Sequence, residues 1–186
     1  GYYDEKGLVE NSYFKRYTLR INSEHKIGKR LKIGENLQLT YKENWGFDTY
    51  SSQTGLLFSA LRFNPAIPVR NPDGSYGSSK ASNELGDINN PVFTVETSDG
   101  WNKNYRLLGN VYAELEIIDG LTLRGNYGYD GSIYNQYSFV PKVLDQTRTR
   151  DHSELWNRSE SNRSELGEVF LTYNKVLAQQ HHLTVT

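Results

Sequence analysis

A chain of 186 residues is long enough for one domain, and 21 Lys+Arg against 22 Asp+Glu leave no net charge to draw it to nucleic acid or acidic lipid. Hydrophobic residues make up only 36%, low for a soluble core, while 14 tyrosines and 16 glycines suit a wall that is wet on one side. Without cysteine there are no disulfides and no thiol chemistry, and no apolar run reaches the ~18 residues of a membrane-crossing helix.

The chain starts at Gly1 without a signal peptide and contains no Met, so it reads as a segment of something longer. Gly1–Asn11 is polar and irregular, the expected end of a loop. The first clear element is a hairpin over 12–45. In Ser12–Ser23, Tyr17, Leu19 and Ile21 alternate with Arg16, Thr18, Arg20 and Asn22. After the polar connection Glu24–Arg30, the stretch Leu31–Trp45 repeats the pattern. Leu31, Ile33, Leu37, Leu39 and Tyr41 oppose Lys32, Gly34, Asn36, Gln38 and Thr40. Glu35 interrupts the oily row. Either it sits near the membrane interface, or Gly34 hosts a bulge that changes its facing.

Gly46–Asn104 shows no sustained alternation and holds four of the five prolines. Within it Asn71-Pro72-Asp73-Gly74 has turn chemistry, and Phe58–Phe63 reads as a short helical turn. A second hairpin follows over 105–130: Tyr105–Ile118 and Leu121–Asp130 flank a two-residue Asp119-Gly120 turn. Gly131–Glu165 is again polar. The third hairpin, 166–186, runs Leu166–Asn174, a connection at Lys175–Gln180, and a last strand from His181.

Connections thus alternate short and long, and each strand of about 10 residues is the length that crosses a bilayer at a barrel tilt. Tyr41, Trp45, Tyr105, Tyr127 and Tyr129 lie toward the long loops and Tyr173 beside a short turn, as interfacial aromatic girdles do. The predicted fold is all-β: an antiparallel meander of about six long strands. It would form part of a transmembrane barrel with short periplasmic turns and long extracellular loops.

Chemical constellations are sparse. Glu114 and Glu116 share a strand face, with Arg16, Arg20, Arg106 and Arg124 available to offset them and no partner pattern for acid–base catalysis. His181 and His182 point to opposite faces of a strand and have no ligand cluster nearby. Asp73-Gly74 and Asp99-Gly100 lack the regular oxygen ligands of a calcium loop and read as turns. Asn157-Arg158-Ser159 and Asn162-Arg163-Ser164 match glycosylation sequons, which carry no weight in a bacterial outer membrane. The expectation is no enzyme, no metal and no cofactor.

Four segments in order carry a family likeness: YFKRYTLRINSEHKIGKRLKIGENLQLTY (Tyr13–Tyr41), ALRFNPAIPVRNPDGSYG (Ala60–Gly77), NVYAELEIIDGLTLRGNYGYD (Asn110–Asp130) and LTYNKVLAQQHHLTVT (Leu171–Thr186). Together they resemble the SusC/RagA-type TonB-linked outer-membrane proteins of Gram-negative bacteria. The resemblance implies a barrel of about 22 strands with a plug domain that this chain lacks. It also implies import of glycans or peptides driven by the TonB complex through missing N-terminal parts, and a SusD-like surface lipoprotein as partner. The wall would contact outer-membrane lipid, and no nucleic acid is expected.

Within that frame Arg16, Arg20, Asn36, Gln38, Arg124 and Asn126 are candidates to line the lumen. Trp45, Tyr50, Tyr76, Trp101, Tyr134, Tyr137 and Trp156 are candidate substrate contacts, since flat rings stack on sugars or pack against peptides. The bland alternative has these rings pack loops onto each other or onto the lipoprotein. Two other readings stand beside the importer. One is a soluble antiparallel β-domain that binds carbohydrate through the same rings and closes its oily faces on each other. The other is a passive adhesin barrel. In isolation, the strands at Ser12–Ser23 and from His181 would be unpaired edges prone to association.

Overall fold

The computed structural model describes residues 1–48, 55–80, 86–177 and 181–186. Seven strands form one sheet in sequential order: β1 (Tyr2–Lys6), β2 (Tyr13–Ile27), β3 (Leu31–Trp45), β4 (Asp99–Ile118), β5 (Leu121–Val140), β6 (Glu154–Leu177) and β7 (His181–Val185). Every neighbouring pair is antiparallel. Two short helices, α1 (Leu56–Arg62) and α2 (Pro91–Thr97), lie in the first long connection. Among the described residues no helix is long and apolar enough to cross a membrane, which says nothing about crossing by strands.

The predicted hairpins are present, and the Asp119-Gly120 turn is closed by Gly120 at φ 81°. Two expectations need correction, and a third point, left open between two readings, is decided. Gly1–Asn11 is not wholly irregular: Tyr2–Lys6 pairs with Tyr13–Tyr17, so β1 rather than β2 is the edge, and the meander has seven strands instead of six. The second is strand length. β4 starts at Asp99, β5 runs to Val140 and β6 starts at Glu154, so strands take the last residues, 99–104, of the span 46–104 and most of the span 131–165 expected as loops. In those extensions rings and polar residues mix on both faces, as with Trp101 on one and Tyr134 and Trp156 on the other. Alternation disappears there although the backbone ladder continues, as in Asn135↔Ser159 and Gln136↔Arg158. The third concerns Gly34. Register passes through it without a break, so Glu35 stays on the oily row, with Ser23 donating to its carboxylate at 2.5 Å. The register shift in β4 lies instead between Glu116 and Ile118, beside the turn.

The first long connection builds its own small core. Among the described residues the buried apolar side chains are Leu56, Ile67, Ile88 and Val95 of this connection and Val143 of the second, all outside the sheet. α1 fulfils the helical turn expected over Phe58–Phe63. α2 begins with Pro91 at its first turn, where a missing N–H costs nothing, and Asn90 caps it by accepting from the N–H groups of Val92 and Phe93. The segment 143–150 packs beside it, held by the Val143↔Arg150 bridge.

Candidate functional site

Side chains in register rows share a face, so the pairing sorts the sheet into two surfaces. One surface is oily. Ile27, Leu31, Leu115, Leu123 and Leu171 form its row nearest the short turns. Tyr2, Tyr17, Tyr41 and Tyr105 form the row toward the loops, with successive ring centroids 4.9, 6.0 and 4.9 Å apart. These side chains face outward rather than into a closed core: Leu19 is 54%, Leu39 47%, Val111 47% and Leu171 52% exposed. On β3 the oily row spans Leu31 to Tyr41. At about 3.4 Å per residue and a tilt near 45°, that stretch rises roughly 24 Å, close to the ≈25 Å apolar band of an outer-membrane barrel.

The oily band drifts along the register from strand to strand. The row Leu19, Leu39, Leu107, Gly131 ends on β6 at Arg163, and the row Ile21, Leu37, Gly109, Tyr129 ends there at Glu165. On β6 the apolar positions are instead Val169, Leu171 and Tyr173, and on β7 Leu183 and Val185. From Leu19 to the β6 centre the slip is about seven residues over four strand steps. At ~3.4 Å per residue and ~4.8 Å between strands, this slip gives a tilt of roughly 50°, near that of membrane barrels. Strands tilted in a horizontal slab of hydrocarbon require such a drift, whereas a face that packs on a second sheet does not.

The other surface is polar and hydrogen-bonded across strands. Asn36 donates to Asn110 at 3.1 Å, Asn110 to Asn126 at 3.1 Å, and Asn126 to Glu168 at 3.2 Å, an amide ladder from β3 to β6. Turn-side of it, Lys32 reaches Glu24 at 3.4 Å and Glu114 at 3.9 Å, while Arg124 sits 3.7 Å from Glu114 and over the Tyr112 ring. Glu114 is thus held between cations, as its structural reading requires. Loop-side of the ladder, Arg20 donates to Gln38 at 2.8 Å and Arg106 grips Asp130 with two bonds of 2.8 and 2.6 Å. All six lumen candidates, Arg16, Arg20, Asn36, Gln38, Arg124 and Asn126, lie on this one face.

Of the aromatic candidates only Trp101 and Tyr137 meet among the described residues, and the others are not gathered with them. Trp101 and Tyr137 stack at 5.9 Å on rows continuous with the oily face, with Lys103 over the indole. Tyr134 and Trp156 lie on rows of the polar face, where Tyr134 donates to Asn102 at 2.9 Å and Trp156 is 66% exposed. Trp45 packs on Gly100 and meets Phe47 edge-on. Tyr76 belongs to the loop core: it donates to Glu96 at 2.7 Å, which raises its phenol pKa, and it lies under Arg70 and against Phe93. Tyr50 lies outside the described residues. His181 and His182 are exposed on β7, and among the described residues no cluster of three or more metal-ligating side chains occurs.

Sequence reasoning missed the polar joint between the two long connections. Asn90 is fully buried. Its amide donates to Val69 O at 2.8 Å and Gly77 O at 3.2 Å, while its backbone N–H donates to the buried Gln146 at 3.1 Å. Asn89 and Arg148 exchange bonds, Nδ2 to Arg148 O at 3.2 Å and Arg148 N to Oδ1 at 2.7 Å. Arg148 also pairs with Asp87 at 3.0 Å and holds that carboxyl below its ordinary pKa. The turn residue Asp73 accepts from Ser75, consistent with its reading as a turn.

A sheet that is oily outside, wet inside and tilted through a slab is a portion of transmembrane β-barrel wall. In sequence the chain is similar to TonB-dependent receptors, and in fold to the RagAB transporter. It is 32% identical over 182 residues to TonB-dependent receptor P3 of Formosa agariphila, across 94% of this chain and 18% of that protein. It is 24% identical over 187 residues to TonB-dependent receptor P39 of the same organism, across 99% of this chain and 17% of that protein. Among solved structures it matches the RagAB peptide importer in the closed-closed state, with TM-score 0.74 and 22% identity over 98% of this chain and 21% of that one. The structure of the RagAB peptide transporter matches with TM-score 0.70 and 21% identity over 98% and 21%. No family model matches. The chain spans about a fifth of the length of these relatives, which are receptors and transporters, not enzymes.

Proposed function

We propose that the intact protein is a Gram-negative outer-membrane importer of oligomeric nutrients, glycans or peptides, in which this segment supplies barrel wall and extracellular loops. The observation that carries this reading is the split sheet, with a drifting oily band on one face and a hydrogen-bonded polar face on the other. The polar row Arg16, Arg20, Asn36, Gln38, Arg124 and Asn126 lines the passage, and Tyr134 and Trp156 are the aromatic candidates placed on that side. The TonB complex powers transport through N-terminal parts of the intact protein, and a SusD-like lipoprotein docks above the loops.

The soluble carbohydrate-binding reading is disfavoured by the exposed leucines of the sheet, which no second layer covers among the described residues. The test is uptake of labelled oligosaccharides and peptides by cells that carry the intact receptor, with and without functional TonB. Uptake that vanishes without TonB supports the importer, and uptake indifferent to TonB overturns it. Trp156→Ala is expected to weaken uptake and Trp101→Ala to leave it near wild type.

A further inference from the structure

The charge on the polar face is balanced on one side of the asparagine ladder and unbalanced on the other. Turn-side of Asn36–Asn110–Asn126, the like-charged register pair Lys26↔Lys32 is offset by Glu24 and Glu114, both within 4 Å of Lys32. Loop-side, the like-charged register pair Arg16↔Lys42 has no carboxylate against it, and Arg20 binds only the neutral Gln38. Of the acids on this face near the trio, Asp130 is occupied by both branches of Arg106, and Glu5 accepts from Tyr3, whose ring lies under Arg16. Like charges directly opposite on neighbouring strands destabilise a sheet, and among the described residues no ion pair of Arg16, Arg20 or Lys42 relieves them.

We infer that the trio of exposed Arg16, exposed Arg20 and half-buried Lys42 is an anion-binding track on the passage wall, and that the cargo is an acidic oligosaccharide whose sugars carry carboxylates. This rests on the importer reading above and narrows its substrate class. Hydroxyl and amide groups fill the gaps between the cations: Thr18, Thr40 and Gln38 in the neighbouring rows, and Asn104 in register with Lys42. Arg16, Arg20 and Lys42 line one open hollow of about 750 Å³ with Thr18, Gln38 and Thr40, and Tyr2, Tyr3 and Leu19 also border it. Sugar hydroxyls need donors and acceptors at short intervals beside the charge, which this surface supplies. Arginine forks suit carboxylates, and an open track binds through charge without burying it.

The test uses the intact purified receptor and three probes: an oligogalacturonate, a neutral oligosaccharide of the same length, and an oligoglutamate. The expected result is that oligogalacturonate binds, that its affinity falls as salt rises, and that the triple variant Arg16→Gln/Arg20→Gln/Lys42→Gln weakens it by about tenfold or more. Lys26→Gln, turn-side of the ladder, should leave it unchanged. If the triple variant does not fold, Lys42→Gln alone carries the test, with a loss of about threefold expected. Equal binding of the neutral probe, no effect of the variants, or binding of oligoglutamate alone would overturn the inference. TonB-dependent uptake of the neutral oligomer in the same cells would leave the importer reading standing while this one fell.

Discussion

Asn90 is the sharpest place to perturb the loops, because one side chain performs two jobs there. Its oxygen caps α2, and its amide nitrogen satisfies the carbonyls of Val69 and Gly77 in a fully buried position. In Asn90→Ala the cap is lost, at a cost of about 1 kcal/mol. Val69 O keeps the N–H of Gly77 at 3.1 Å, whereas Gly77 O is left without a donor, at a further ~1–3 kcal/mol. A total of roughly 3 kcal/mol corresponds to about a hundredfold rise in local opening. Asn90→Asp separates the two jobs: the cap survives, yet a carboxylate faces two carbonyls, so this variant should also open more than wild type. The assay is amide hydrogen exchange of α2 and residues 143–150 in the intact receptor, with the strands as internal reference. Wild-type protection of α2 in both variants would refute the reasoning. Equal loss throughout the strands would show that the loop core and the wall are one cooperative unit, contrary to the separation described.

Other predictions follow from the same geometry. Leu37→Arg, on the oily row of β3, should destabilise the folded barrel by about 2–4 kcal/mol, while Gln38→Arg on the polar row should cost nearly nothing; denaturant titration of the intact receptor in bilayers reads both. At Gly34 an added Cβ would fall 2.5 Å from Tyr112 Cζ, so Gly34→Val should displace that ring and break its 2.8 Å bond to Glu24. The expected loss is of the order of 1–2 kcal/mol, seen as a lower unfolding temperature. Asp87 has its pKa lowered by the bond from Arg148, and Arg62 adds to it. Since the folded value lies below the unfolded one, this contact contributes fully above about pH 4 and is lost as pH falls through the folded value. Proteolysis of the 86–90 and 143–150 segments should therefore rise in acid, and Asp87→Asn should remove that pH dependence.

The legible parts of this fold are those where physics imposes a period. Leu31, Ile33, Leu37 and Leu39 meet hydrocarbon on one side only, so β3 announced its length and facing, and Asp119-Gly120 announced its turn. Beyond the oily band nothing imposes alternation. Asn135, Gln136, Arg158 and Ser159 pair as well as any leucines, yet their residue types do not mark a strand. The strand β1 was hidden for a related reason: Tyr2–Lys6 is exposed throughout, and it is strand because β2 offers it a ladder. The helix start at Asn90 and Pro91 went unread, and the bond of Asn90 to Gln146 joins two polar residues 56 positions apart, which no local pattern encodes. The same distance problem governs the candidate rings. Trp101 and Tyr137 meet through the β4–β5 register, while Tyr134 and Trp156 take the opposite face by parity alone, a sorting that required the true strand lengths.

The measurement closest to the central claim is depth and facing along β3 in the intact receptor. Single cysteines at positions 36 to 40 would carry a small fluorophore in bilayers containing brominated lipid and, separately, with a water-soluble quencher. The account predicts bromine quenching at Leu37 and Leu39 and aqueous quenching at Asn36, Gln38 and Thr40, alternating with the strand period. Uniform quenching along the five positions, or bromine quenching on the asparagine and glutamine row, would contradict it.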